Sequence, residues 1–255
     1  MSENTVAPKK IEKPKFPTEF VDLPSKGLLY PKDHTLSSGK VEMKYMTAKE
    51  EDILTNQSYI KKGIVLDKLI EALIIDKSIS IRDFFTGDKN AILIASRVLG
   101  YGSEYEIMYA GEKHTVDLSK LENKEIDDSI YNSENDFEFK LPHSETNITF
   151  QLLNGKIEKK IEDEVTGIKK IKKDASPEAT TRLKHIITSV EGDTSGKTIR
   201  EFVDTYFLAR DARALREYIV KIQPDVELKW QIENDEGEFI EIDVPISLNF
   251  FFPDA

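Results

Sequence analysis

The chain has 255 residues, 39% hydrophobic and 33% charged, with a formal net charge of −11 at pH 7. That composition belongs to a folded protein with a polar surface and excludes membrane spans: the longest apolar runs, residues 73–75 and 91–95, fall far short of the roughly 20 apolar residues a span needs. The lack of cysteine removes disulfides, thiol nucleophiles and sulfur-bound metals, and the acidic balance opposes nucleic acid as a main partner, since phosphate neutralisation needs clustered Lys and Arg.

The first segment, residues 1–19, is rich in charge and proline, has no periodicity and lacks the apolar stretch of a signal peptide. It is expected to be a flexible arm on a protein made and kept in a cytoplasm. Residues 21–31 follow, Val-Asp-Leu-Pro-Ser-Lys-Gly-Leu-Leu-Tyr-Pro, with prolines that oppose helix and a glycine for a turn, so an extended, kinked strap is expected. Its Leu28, Leu29 and Tyr30 need a covering surface, either the protein's own core or a partner.

Residues 40–46 alternate as a strand, with Val41, Met43 and Tyr45 on one side. Thr47 and Glu50 have the spacing of a capping box that opens a helix reaching about Asn56. A second helix is expected over residues 66–75 and a third over 89–99, capped by Asp88 and stopped by Gly100 and Gly102. Residues 104–109 and 114–118 read as a hairpin turning at Gly111, and residues 137–141 and 147–153 as two further strands. The charged stretch over residues 156–173 is expected to be a solvent-facing helix or a link, its lysines 169, 170, 172 and 173 forming a solvated face.

Ser176 and Pro177 read as the start of a helix whose stripe is Leu183, Ile186, Ile187 and Val190, ended by Gly192. Thr198 with Glu201 suggests another capping box, and apolar residues all around residues 202–208 imply burial on more than one side. Asp211 opens a helix with Leu215, Tyr218, Ile219 and Ile222 on one face. Val226, Leu228, Trp230 and Ile232 then alternate with charged and polar residues, residues 234–237 turn, and Ile240, Ile242 and Val244 alternate back. Phe250, Phe251 and Phe252 read as a buried terminal strand, or as a strand sending a ring to a partner. The fold class is α+β: a helix-plus-hairpin unit over residues 20–125, strands and a charged connection over 126–175, and a second helix-plus-hairpin unit over 176–255.

The nearest approach to a catalytic motif is Gly192-Asp193-Thr194-Ser195-Gly196-Lys197-Thr198. A phosphate-binding loop of this kind has four residues between its glycines and follows a buried strand; this one has three and is expected to follow a helix. Glu50, Glu51 and Asp52 are accounted for by the helix dipole, Asp127 and Asp128 lie in a loop, and His34, His114, His143 and His185 are scattered. No catalytic, cofactor or metal residue is therefore expected. The partner-binding candidates are Leu28, Leu29, Tyr30, Trp230, Phe250, Phe251 and Phe252.

Four groups of residues, in this order, carry a resemblance: Leu23 to Pro31, Tyr45 to Leu54, Gly87-Asp88-Lys89 through Arg97 to Gly100-Tyr101-Gly102, and Phe250-Phe251-Phe252-Pro253. Together the chain resembles the baseplate hub subunit and hub assembly proteins of T-even-type phages. The resemblance implies a non-enzymatic role in building the hub of a contractile tail, in the host cytoplasm and in the tail baseplate. Other hub and tail proteins, the tape-measure protein among them, are the implied partners. Tail proteins of this kind can carry cysteine pairs in the hairpin corresponding to residues 109–114; this chain has none, so no metal knuckle carries over. A nucleotide-binding enzyme using residues 192–198 and a cytosolic adaptor using the strap are the alternatives.

Overall fold

The computed structural model describes residues 17–172, 177–233 and 237–252. Most of the expected flexible arm, Ser176, the turn at residues 234–236 and Pro253 lie outside them. The fold is α+β, with small antiparallel sheets set among helices.

Strand β1 (Thr18–Asp22) pairs with β2 (Lys40–Lys44), so its first two residues were wrongly assigned to the arm. The strap between them is a series of turns and not an extended segment, because the amides of Lys26, Leu28 and Tyr30 donate to the carbonyls of Leu23, Ser25 and Gly27. Gly27 permits this coil. Its φ is +78°, and a Cβ there would stand 2.4 Å from the Ser37 carbonyl oxygen.

Helix α1 (Ala48–Leu54) starts at Thr47 as expected, with the Glu50 carboxylate accepting from the Thr47 N–H at 3.0 Å and from its hydroxyl at 2.7 Å. Short α2 (Gln57–Lys61), which the sequence reading missed, is capped by Asn56. Amphipathic α3 (Val65–Leu73) buries Val65, Leu69, Ile70 and Leu73. Helix α4 (Thr86–Tyr101) begins three residues before the expected start and runs through Gly100, ending at Gly102. The hairpin β3 (Glu104–Tyr109) and β4 (Glu112–Asp117) follows.

Strands β5 (Phe137–Lys140) and β6 (Asn147–Phe150) form a sheet with β7 (Ile187–Val190). The helix expected to run from Ser176 to Gly192 is thus shorter: its last part, Ile187 to Val190, is a strand. Helix α6 (Glu178–Ile186) stops at Ile186, where the chain leaves to pair with β6 and to bury Ile187 and Val190 in the common core. Helix α5 (Gly155–Ile171) lies against α6, with the Arg182 guanidinium bidentate on Glu158 and His185 2.8 Å from Glu164.

Two caps also differ. Ser195, and not Thr198, starts α7 (Gly196–Glu201), and Asp211 lies inside α8 (Ala209–Ile222), aimed out of its own helix at the loop amides of His143 and Ser144. Between α7 and α8, residues Phe202–Tyr206 form a π-helical turn that buries Phe202 and Val203 yet leaves Tyr206 and Leu208 exposed, so burial is one-sided there. Strands β8 (Lys229–Glu233) and β9 (Phe239–Asp243) pair as expected. The terminal phenylalanines form a 3-10 turn, Leu248–Phe251, in place of the expected strand. One continuous hydrophobic cluster joins Leu23 and Leu36 to Phe150, Leu215 and Phe250.

Candidate partner-binding surface

The strap is locked to the protein itself. At the first turn of α4 the Asp88 carboxylate accepts from the Ser25 N–H at 2.9 Å, the Ser25 hydroxyl at 2.8 Å and the Tyr30 hydroxyl at 2.6 Å. Asp88 therefore does not cap its own helix; Phe85 occupies that position. Burial pushes the Asp88 carboxyl up from its ordinary pKa, against the three donors that favour its charge. Burial beside that carboxylate likewise raises the Tyr30 phenol. Leu29 and Tyr30 are enclosed, Tyr30 packing edge-on against Phe85, while Leu28 keeps 37% of its surface exposed.

A second lock holds the C-terminal phenylalanines. The buried Arg97 guanidinium donates through Nε to the Phe250 carbonyl at 3.0 Å, through Nη1 to Gly102 at 2.7 Å and through Nη2 to Glu104 at 3.0 Å. Its central carbon, Cζ, also lies 5.3 Å from the Tyr101 ring centroid. Phe250 and Phe251 are fully enclosed, Phe250 meeting Tyr105 edge-on, and Phe252 is half-buried. Sequence reasoning missed Arg97, because one of its three carbonyls, that of Phe250, comes from 153 residues away and leaves no local pattern.

Between β3, β9 and the C-terminal turn lies a cleft of about 450 Å3. Its walls are residues 105–109 of β3 on one side, and Ile242, Asp243, Pro245 and Phe252 on the other. Two of its lining side chains are large and exposed: Met108, on the solvent side of β3, is 65% exposed, and Tyr109 is exposed at the hairpin end. Trp230, half-buried, pairs with Ile242 across the β8–β9 ladder, so two of the seven expected candidates, Trp230 and Phe252, lie at or beside this cleft. Met108 and Asp243 were not among those candidates. Nothing local in the sequence shows that their strands border an opening.

The loop over residues 192–198 follows a strand and not the expected helix, which removes one argument against phosphate binding. Other arguments replace it. The strand is antiparallel, the helix that follows has 6 residues, and the loop's own Asp193 carboxylate accepts from the Ser195 N–H at 2.8 Å and the Thr198 hydroxyl at 2.7 Å. A carboxylate thus already occupies donors that a phosphate would need. Among the described residues no group of three or more His, Asp or Glu is placed to hold a metal ion, and no helix is long and apolar enough to cross a membrane. Compared with protein-family models, curated proteins and solved structures, the chain gives no match.

Proposed function

We propose that this chain is a non-enzymatic structural or assembly protein of a contractile phage tail, contributing to the baseplate hub through protein–protein contacts. The observation that carries the binding part of this reading is the cleft between β3 and β9, rimmed by the exposed side chains of Met108 and Tyr109. Large apolar groups left in water around a concave surface are the usual mark of a docking site, since covering them returns about 25 cal/mol per Å2. The tail assignment rests on the resemblance of the four residue groups. Three of them supply the two locks: Ser25 and Tyr30, Asp88 and Arg97, and Phe250. They act as a frame, so the partner surface is to be sought beside them.

Hub and tail proteins, including the tape-measure protein, are the proposed partners, met in the host cytoplasm during assembly and in the tail baseplate. A tagged chain expressed in infected cells and recovered under mild conditions tests this. Enrichment of tail components is expected; recovery without any of them would end the tail reading. Turnover of a small molecule by the purified protein, lost on one side-chain substitution, would end the non-enzymatic one.

A further inference from the structure

We propose that the open edge of β3 accepts an extended, basic segment of a partner protein as an added β-strand. This deepens the reading above and rests on its premise that the chain acts by binding proteins. Among the described residues, β3 pairs with no strand but β4, and β9 with no strand but β8. Ala110 and Gly111, with φ of 51° and 91°, make a two-residue hairpin turn, so the flanking pair Tyr109 and Glu112 exchanges hydrogen bonds. Alternation along the ladder then turns Tyr105 and Ile107 toward β4, and Glu106 and Met108 direct their amides and carbonyls away from it.

The same parity holds on the opposite wall. The Val244 amide donates to the Leu228 carbonyl at 2.8 Å, which turns Ile242 toward β8 and leaves the backbone groups of Glu241 and Asp243 pointing outward. Five consecutive residues of β3, 105–109, line the cleft. A sheet face would offer only alternate residues, so the opening runs along the strand's edge. Arg97 steadies this edge by holding the Glu104 carbonyl at 3.0 Å.

Charge chooses the occupant. Among the described residues lining the cleft the charged ones are Glu106, already 2.8 Å from the Lys113 ammonium across the ladder, and Asp243; no Lys or Arg lines it. An entering strand that alternates basic with apolar side chains would meet those carboxylates and cover Met108 and Phe252. A second copy of this chain fits worse. Pairing β3 with β3 sets Glu104 and Glu106 near their counterparts on a protein of net charge −11.

The test uses the full chain and a fluorescein-labelled peptide of four Lys-Val repeats, with a Glu-Val peptide and an alternately N-methylated Lys-Val peptide as controls. Binding of the Lys-Val peptide at least tenfold tighter than either control, with slowed hydrogen exchange at the Glu106 and Met108 amides, is the expected result. Met108→Pro removes an edge donor without touching a β4 hydrogen bond and should abolish binding. If that variant misfolds, Glu106→Lys combined with Asp243→Lys should invert the preference toward the Glu-Val peptide. Equal affinity for the two charge forms, unimpaired binding after N-methylation, or protection confined to other strands would overturn the proposal. Peptide binding without capture of tail proteins from infected cells would leave strand addition standing and remove the tail reading; capture of tail proteins without peptide binding would do the reverse.

Discussion

Two buried aspartates tie distant segments together, and each does so by facing away from its own helix. Removing the Asp88 carboxylate strands the Ser25 N–H, the Ser25 hydroxyl and the Tyr30 hydroxyl in a site with no exposed surface. Asp88→Ala is therefore expected to lower stability by about 3 kcal/mol, read as a fall in the urea midpoint, and Tyr30→Phe by about 1 kcal/mol. Asp211 offers a pH readout. Burial acts to raise its carboxyl, but the N–H groups of His143 at 2.8 Å and Ser144 at 3.0 Å outweigh that and hold its pKa below the ordinary value. A depressed folded-state pKa contributes stability that is present above the unfolded pKa of about 4 and lost as pH falls through the folded value. Asp211→Asn should cost about 2 kcal/mol at pH 7. Unfolding curves of variant and parent should converge as the pH drops below about 4, and a gap that persists to pH 2 would show that the carboxylate's charge is not what matters.

Most helices and hairpins were legible from sequence where neighbouring residues decide them, short α2 and the start of α7 excepted, and the largest misreadings came where a distant partner decides. The Thr47 and Glu50 box spans four residues and formed as read; the β3–β4 and β8–β9 hairpins followed from alternation. Leu183, Ile186, Ile187 and Val190 keep helical spacing, yet the chain turns into a strand at Ile187 because β6 offers an edge nearly forty residues upstream, with Ile148 opposite Val190. Asp88 has the chemistry of a cap, and only Ser25, 63 residues away, shows its other task. The cleft was the least legible part, since its walls come from β3, β9 and the C-terminal turn, and just two expected candidates fell at or beside it. The contact between α4 and the segment before β8 gives a prediction at this scale. Gly87 lies so close to that segment that a Cβ would stand 2.1 Å from the Pro224 carbonyl oxygen. Gly87→Ala must push the two apart, at a cost of about 3 kcal/mol in thermal or denaturant unfolding. An unchanged midpoint would mean that this contact yields freely.

Across the whole molecule, the two stretches expected to be separate units, residues 20–125 and 176–255, are joined by direct contacts. Residues 122–124 lie alongside residues 225–227, with the Lys124 and Glu227 amides donating at 2.8 Å to the Asp225 and Glu122 carbonyls and Asn123 bridged to Val226. Asn90 reaches Asp225 at 2.9 Å, and Arg97 of the first half holds the Phe250 carbonyl of the second. A fragment of residues 20–125 would leave the Arg97 Nε without its acceptor and Tyr105 without the Phe250 ring that packs on it. Each lost aromatic or aliphatic cover costs roughly 1.5–3 kcal/mol, and a domain has only about 5–15 kcal/mol in total. The full chain should thus unfold in one cooperative transition, with fluorescence of its single tryptophan, Trp230, and far-ultraviolet dichroism tracing the same curve, while the fragment stays unfolded on its own. Two separated transitions, or a fragment with dispersed amide resonances, would show that the shared core is a contact between independent units. In that case Arg97 would no longer link the partner cleft to the stability of the whole.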